Sequence, residues 1–167
     1  MREFRKFFEA LEKENVRYLV VGGVAVNLYG IERATGDIDI SLDMEEENLA
    51  RFISVVKELG FKPNVPVRIE DLADAVTRQK WITDKGMVVL SIFDPKNAFF
   101  TLDVLVEQPF DFDKVFKDRN KIRAWDMSIS VISLKDLIKM KEKTGRPQDK
   151  ADAFYLKKVK KELKDEK

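Results

Sequence analysis

The chain has 167 residues, of which 44% are hydrophobic, and its 31 Lys and Arg balance 30 Asp and Glu to a net charge of +1. That is enough apolar material for one proper core, and the charge balance argues against broad, nonspecific nucleic-acid binding. There is no cysteine and no histidine, which excludes disulfides, thiolate metal sites, cysteine nucleophiles and Ser-His-Asp chemistry.

In chain order, Arg2 to Glu14 carries Phe4, Phe7, Phe8 and Leu11 at the spacing of an amphipathic helix. Leu19 to Val21 predicts a buried strand, and Gly22 and Gly23 let the backbone turn tightly into a helical Val24 to Tyr29. A helix N-terminus opening there would present free N–H groups to a phosphate. Gly36 to Leu42 predicts a second strand, whose period of two places Asp37 and Asp39 on one face and Ile38 and Ile40 on the other. A helix is expected over Glu45 to Leu59, stopped by Gly60. Lys62 to Val76 reads as a loop with a short helix from Ile69. Lys80 to Thr83 and Met87 to Phe93 are expected to pair as a hairpin around Asp84-Lys85-Gly86. Phe99 to Val106 then predicts a strand containing Asp103, followed by a short helix near Phe112 to Phe116, strands around Ile122 and Ser128 to Ile132, and two C-terminal helices.

No Pro-, Gly- or Ser-rich linker divides this order, so one domain over 1–167 is expected. Its sheet would occupy residues about 17–132 and its closing helices about 133–163. The fold class is α+β, a short mixed sheet flanked by helices, with the C-terminal helices closing a cleft. With no opening apolar signal region and no run near ~18 apolar residues, a cytoplasmic protein without membrane contact is expected.

Carboxylates two apart on a strand have Cα atoms roughly 6.5–7 Å apart, which lets Asp37 and Asp39 converge on a common cation. Asp103 lies within the apolar run Phe99 to Val106, where an unpaired ionised carboxylate is expensive to bury. If its strand lies beside that of Asp37, the three carboxylates can share Mg2+ or Mn2+, hard cations that prefer oxygen ligands. Paired carboxylates beside a glycine turn suit phosphoryl or nucleotidyl transfer from a triphosphate. Lys141 continues the inward stripe of Leu134, Leu137 and Ile138, so its cation needs an anionic partner or is a lysine snorkelling at the core edge. Arg146, Asp149 and Asp152 fit a phosphate-facing group or the start of a helix at Pro147.

With these residues in view, the chain resembles the polymerase-beta-like nucleotidyltransferase superfamily, whose signature is a Gly-Gly or Gly-Ser turn followed by Asp-x-Asp, here Gly22, Gly23, Asp37 and Asp39. The run Arg33-Ala-Thr35-Gly-Asp37-Ile-Asp39 is most similar to the abortive-infection, type IV toxin group, as is the stretch from Asp136 through Lys141 and Arg146 to Asp152. Gln148 departs from that group, which often has a basic residue there. The resemblance implies a prokaryotic enzyme that moves a nucleoside monophosphate from an NTP to a hydroxyl of tRNA, a protein or a small molecule and releases pyrophosphate. It also implies roles: Gly22 and Gly23 hold the triphosphate, Asp37, Asp39 and Asp103 bind metal, Lys141 and Arg146 meet phosphate charge, and Arg33 and Thr35 border the nucleotide. An antitoxin partner is a further implication. The alternative is a nucleotide-binding regulatory or toxin–antitoxin module of the same fold with weak or no turnover.

Overall fold

The computed structural model describes residues 2–166. The elements in order are α1 (Arg2–Lys13), β1 (Tyr18–Val21), α2 (Gly22–Leu28), β2 (Asp37–Leu42), α3 (Glu46–Glu58), β3 (Lys62–Pro63), a 3-10 turn (Ile69–Ala73), α4 (Ala75–Lys85), β4 (Val89–Asp94), β5 (Asn97–Leu105), α5 (Phe112–Lys117), β6 (Asn120–Ala124), β7 (Met127–Val131), α6 (Leu134–Thr144) and α7 (Pro147–Asp165). The strands form one mixed sheet in the order β3-β4-β5-β2-β1-β7-β6.

β1 is a continuous apolar run buried at all four positions, as a strand near the middle of a covered sheet must be. It pairs antiparallel with β2 and parallel with β7, while β2 pairs parallel with β5 in a register that sets Ile38 against Leu102 and Ile40 against Val104. Those four side chains are fully buried. On the same face of β5, Phe100 packs against Phe7 of α1 and against Phe61, with ring centroids 5.8 Å and 4.7 Å apart. The helical spacing read from α1 therefore buries Phe7, Phe8 and Leu11 as expected, and each aromatic contributes on the order of 2–3 kcal/mol by burial. The opposite face of β2 and β5 carries Asp37, Asp39, Thr101 and Asp103, and α6 and the start of α7 lie across it.

One expected element is absent. Lys80 to Thr83 is not a strand, and no hairpin surrounds Asp84-Lys85-Gly86, because that segment lies in α4 and its end. Asp74 caps the helix by accepting from the Thr77 N–H at 3.0 Å, and Gly86, at φ +61°, terminates it in the left-handed region. A glycine at a hairpin turn and a glycine after a helix satisfy the same backbone need, and the sequence pattern alone favoured the wrong one. The hairpin instead joins β4 to β5 through Asp94 to Asn97, and the two-residue β3 pairs at the sheet edge, where Pro63 is tolerated.

The β6–β7 hairpin turns through Trp125 and Asp126, both at positive φ, +50° and +63°. This is the geometry of a type I′ turn, which glycine adopts at least cost. Trp125 is held there by stacking on Phe8, with centroids 6.3 Å apart. Replacing the exposed Asp126 with Gly removes the left-handed penalty without touching that stack. Asp126→Gly is expected to stabilise the protein by about 1 kcal/mol, read as a higher urea midpoint at unchanged slope.

Candidate active site

The β1–α2 junction is built for close approach. Gly22 sits at φ +63°, and a Cβ added there would stand 2.0 Å from Asp39 Oδ2. A Cβ on Gly23 would stand 2.7 Å from Thr35 Oγ1 and 3.3 Å from the guanidinium carbon of Arg33. Neighbouring side chains therefore favour glycine at both positions, and at Gly22 the positive φ of the turn favours it as well. The Gly23 N–H lies close enough to the Asp39 carboxylate to favour its charged form.

Parallel pairing of β2 with β5 brings Asp39 directly opposite Asp103, with Asp37 two residues along the same face. Burial and then the charge of Asp103 push the Asp39 carboxyl up to about 6, against the opposing pull of the Gly23 N–H and Lys141. Asp37 is raised in the same way, by burial and then by Asp103. Asp103 is oriented by Ser91 on β4, whose hydroxyl donates to Asp103 Oδ1 at 2.6 Å. The donor set is all oxygen and carries excess negative charge, which suits a hard divalent cation, and Asp37, Asp39 and Asp103 are the side chains that could supply its ligands. Among the described residues no three such side chains are already gathered around one point.

A cavity of about 700 Å³ runs over this face, within the range for small-molecule sites. The nine residues to which the resemblance gives roles all line it: Gly22, Gly23, Arg33, Thr35, Asp37, Asp39, Asp103, Lys141 and Arg146. Its far wall is α6 and the α6–α7 corner, and its apolar end is formed by Val89, Leu105, Leu137 and Met140.

Lys141 is only 6% exposed, which rules out the snorkelling alternative. Its ammonium meets Asp149 Oδ1 at 2.7 Å and Asp152 Oδ2 at 2.9 Å. Asp149 and Asp152 are correspondingly neither solvated nor the cap of α7: both are buried, and the capping position is Arg146. Asp149 also accepts from Thr144 Oγ1 and Arg146 Nε at 2.5 Å and 2.6 Å. Burial opposes its charge, but the bonds from Lys141, Thr144 and Arg146 outweigh that and hold its carboxyl down at about 2. Arg33 reaches across from the α2–β2 loop to Asp152 Oδ2 at 2.5 Å.

Ser91 and the apolar wall escape the sequence reading, and so does the tertiary partner of Asp152. Ser91 alternates with Val89 on the cleft face, but its position opposite Asp103 depends on the β4–β5 register, which the misplaced hairpin hid. Asp152 was noticed as part of a motif, yet its partner in Arg33 lies 119 residues away and no local pattern announces it.

No protein-family model and no curated protein matches the sequence. Solved structures do match, over nearly the whole chain. The lincomycin-bound lincosamide antibiotic adenylyltransferase LnuA has a TM-score of 0.63 at 18% identity, covering 95% of this chain and 96% of its own. The chain has the nucleotidyltransferase fold. A nucleotidyltransferase candidate from Thermotoga maritima, TM1012, has a TM-score of 0.57 at 20% identity over 96% of this chain and 92% of that one. ANT(2")-Ia in complex with adenylyl-2"-tobramycin has a TM-score of 0.57 at 12% identity over 95% and 91%. At such identities the likeness concerns the fold.

Two outcomes are expected. Gly22→Ala combines a left-handed backbone with a clash against Asp39, so it should destabilise the protein by about 2 kcal/mol or more. In an Asp39→Gly background, which also removes the Asp39 Cβ that would stand 2.8 Å away, only the backbone cost of about 1 kcal/mol should remain, and denaturant melts of the double-mutant cycle measure the difference. Asp149, depressed from 3.8 to about 2, contributes stability that is present above pH about 4 and is lost as the pH falls toward 2. Asp149→Asn should therefore be less stable than the parent by about 2–4 kcal/mol at pH 7, with the gap narrowing in melts taken between pH 4 and pH 2.

Proposed function

We propose that the protein is a nucleotidyltransferase that moves a nucleoside monophosphate from an NTP to an acceptor hydroxyl and releases pyrophosphate. The observation that carries this reading is the acidic face itself: Asp39 opposite Asp103, Asp37 beside them, and the Gly22-Gly23 turn against Asp39, all on one cavity wall. Placing the Asp103 charge where it raises the carboxyls of Asp37 and Asp39 is costly unless a cation is to be bound. The adenylyltransferase LnuA, and ANT(2")-Ia with its adenylyl-2"-tobramycin, support the reading at the level of fold.

Asp37, Asp39 and Asp103 would hold Mg2+, which when bound supplies Lewis-acid stabilisation of charge on the transferring phosphate. The glycine turn lets the triphosphate approach the backbone, and Arg33 from the α2–β2 loop together with Lys141 and Arg146 on the facing wall balance its charge. The acceptor oxygen attacks the α-phosphorus in line; its bond to phosphorus forms as the bond to the β-phosphate oxygen breaks, and pyrophosphate leaves with the electron pair. Asp103, oriented by the Ser91 hydroxyl, takes the proton of the acceptor. The acceptor hydroxyl belongs to tRNA, a protein or a small molecule.

The test is incubation with each α-labelled NTP, MgCl2 and either total tRNA or cell lysate, beside the Asp37→Asn, Asp39→Asn double variant. Label transfer by the parent and at least ~1,000-fold less by the double variant supports the reading, since charge stabilisation of this kind carries several kcal/mol. NTP binding without transfer by the parent supports the regulatory-module reading instead. A readout independent of turnover is thermal stability. Without metal, Asp39→Asn should melt above the parent at pH 7 by the equivalent of about 1–3 kcal/mol, and MgCl2 should raise the parent's melting temperature but not the variant's.

A further inference from the structure

The two buried carboxylates of α7 have different reach. The hydrogen-bond partners of Asp149 all belong to one corner, Lys141, Thr144 and Arg146, so Asp149 fastens α6 to α7. Asp152 instead joins α6 to the α2–β2 loop. Its Oδ2 takes Lys141 Nζ at 2.9 Å from the helical wall and Arg33 Nη1 at 2.5 Å from the loop that lies on Gly23, while Gln148 Nε2 holds Oδ1 at 3.1 Å. At 2% exposure it is a fixed point, and Arg33 touches both it and the glycine turn.

We propose that Asp152 is a positioning residue for the triphosphate: through one oxygen it joins Arg33 and Lys141, from opposite walls, into a single cationic unit beside the glycine turn. The proposal deepens the nucleotidyl-transfer reading and rests on it. Both cations belong to long side chains that would otherwise sample many rotamers, and a shared buried carboxylate fixes where they present charge. The opposing effect is masking, since a carboxylate also cancels part of the charge offered to phosphate. Positioning prevails because Lys141 is already ion-paired to Asp149 whether or not Asp152 is charged, whereas Arg33 has its one ion pair among the described residues with Asp152.

The experiment measures calorimetric binding of inorganic tripolyphosphate and of NTP, both with MgCl2, to the parent, Asp152→Asn, Asp152→Glu, Arg33→Met and the Arg33→Met, Asp152→Asn double variant. Asp152→Asn keeps shape and hydrogen-bonding capacity, and Lys141 retains Asp149, so the fold should survive; melting curves verify it. The expected result is binding weakened at least tenfold in Asp152→Asn, partly restored in Asp152→Glu, and no further loss on adding Asp152→Asn to Arg33→Met. In label transfer the same variant should raise KM about tenfold with kcat changed less than threefold, a split that general destabilisation would not produce. Unchanged or tighter binding in a folded Asp152→Asn protein would overturn the proposal, tighter binding establishing masking, and either would leave nucleotidyl transfer standing. A parent protein that binds neither tripolyphosphate nor NTP would overturn both.

Discussion

Everything in the cleft depends on the parallel pairing of β2 with β5. That register sets Asp39 opposite Asp103, a juxtaposition of like charges that is unfavourable in any sheet. The same register buries Ile38, Leu102, Ile40 and Val104 completely on the reverse face. Full burial contributes about 1.5–3 kcal/mol for each such side chain. Raising Asp39 from its ordinary range to about 6 costs ~3 kcal/mol. The aliphatic face therefore wins, and a slip by one residue, which would turn those side chains to the cleft, is the more expensive alternative. The acidic face is held in place by the core behind it.

A second group of charges is arranged quite differently. On the sheet the carboxylates face one another, with Ser91 and the Gly23 N–H as their close neutral partners. On the helical wall each buried carboxylate is matched: Lys141 lies between Asp149 and Asp152, with Arg146 and Arg33 at the two ends. The cleft thus has a wall short of positive charge and a wall whose cations are held but still line the cavity. A ligand carrying both hard cations and phosphate oxygens is complementary to that division. Gly22 and Gly23 set the distance between the parts, because a methyl group at either would collide with Asp39 or with Thr35.

Much of this was readable before any coordinates. The alternation in Asp37-Ile38-Asp39-Ile40 and in Leu102-Asp103-Val104 obeys the strand period, and the stripe from Leu134 to Lys141 obeys the helix period, so facing was correctly deduced in each case. The segment from Ala75 to Lys85 failed for a reason of the same kind: its helix has little amphipathic character, with Trp81 as its one buried residue, and Gly86 suits two different turns. Lys141 was legible as an inward cation, but Asp149 in the first turn of α7 and Asp152 in the next also read as ordinary acids near a helix start.

By itself the sequence determined periodicity, the need for glycine at the β1–α2 turn, the absence of histidine and cysteine chemistry, and which side chains share a face. These are local properties, set by backbone geometry over a few residues. The tertiary structure alone decided that Asp103 stands opposite Asp39, that Ser91 orients Asp103, and that Arg33 meets Asp152 across the cleft. Each of those contacts joins segments far apart in the chain, and their register is settled by how the sheet and helices bury apolar surface together, which no local pattern encodes.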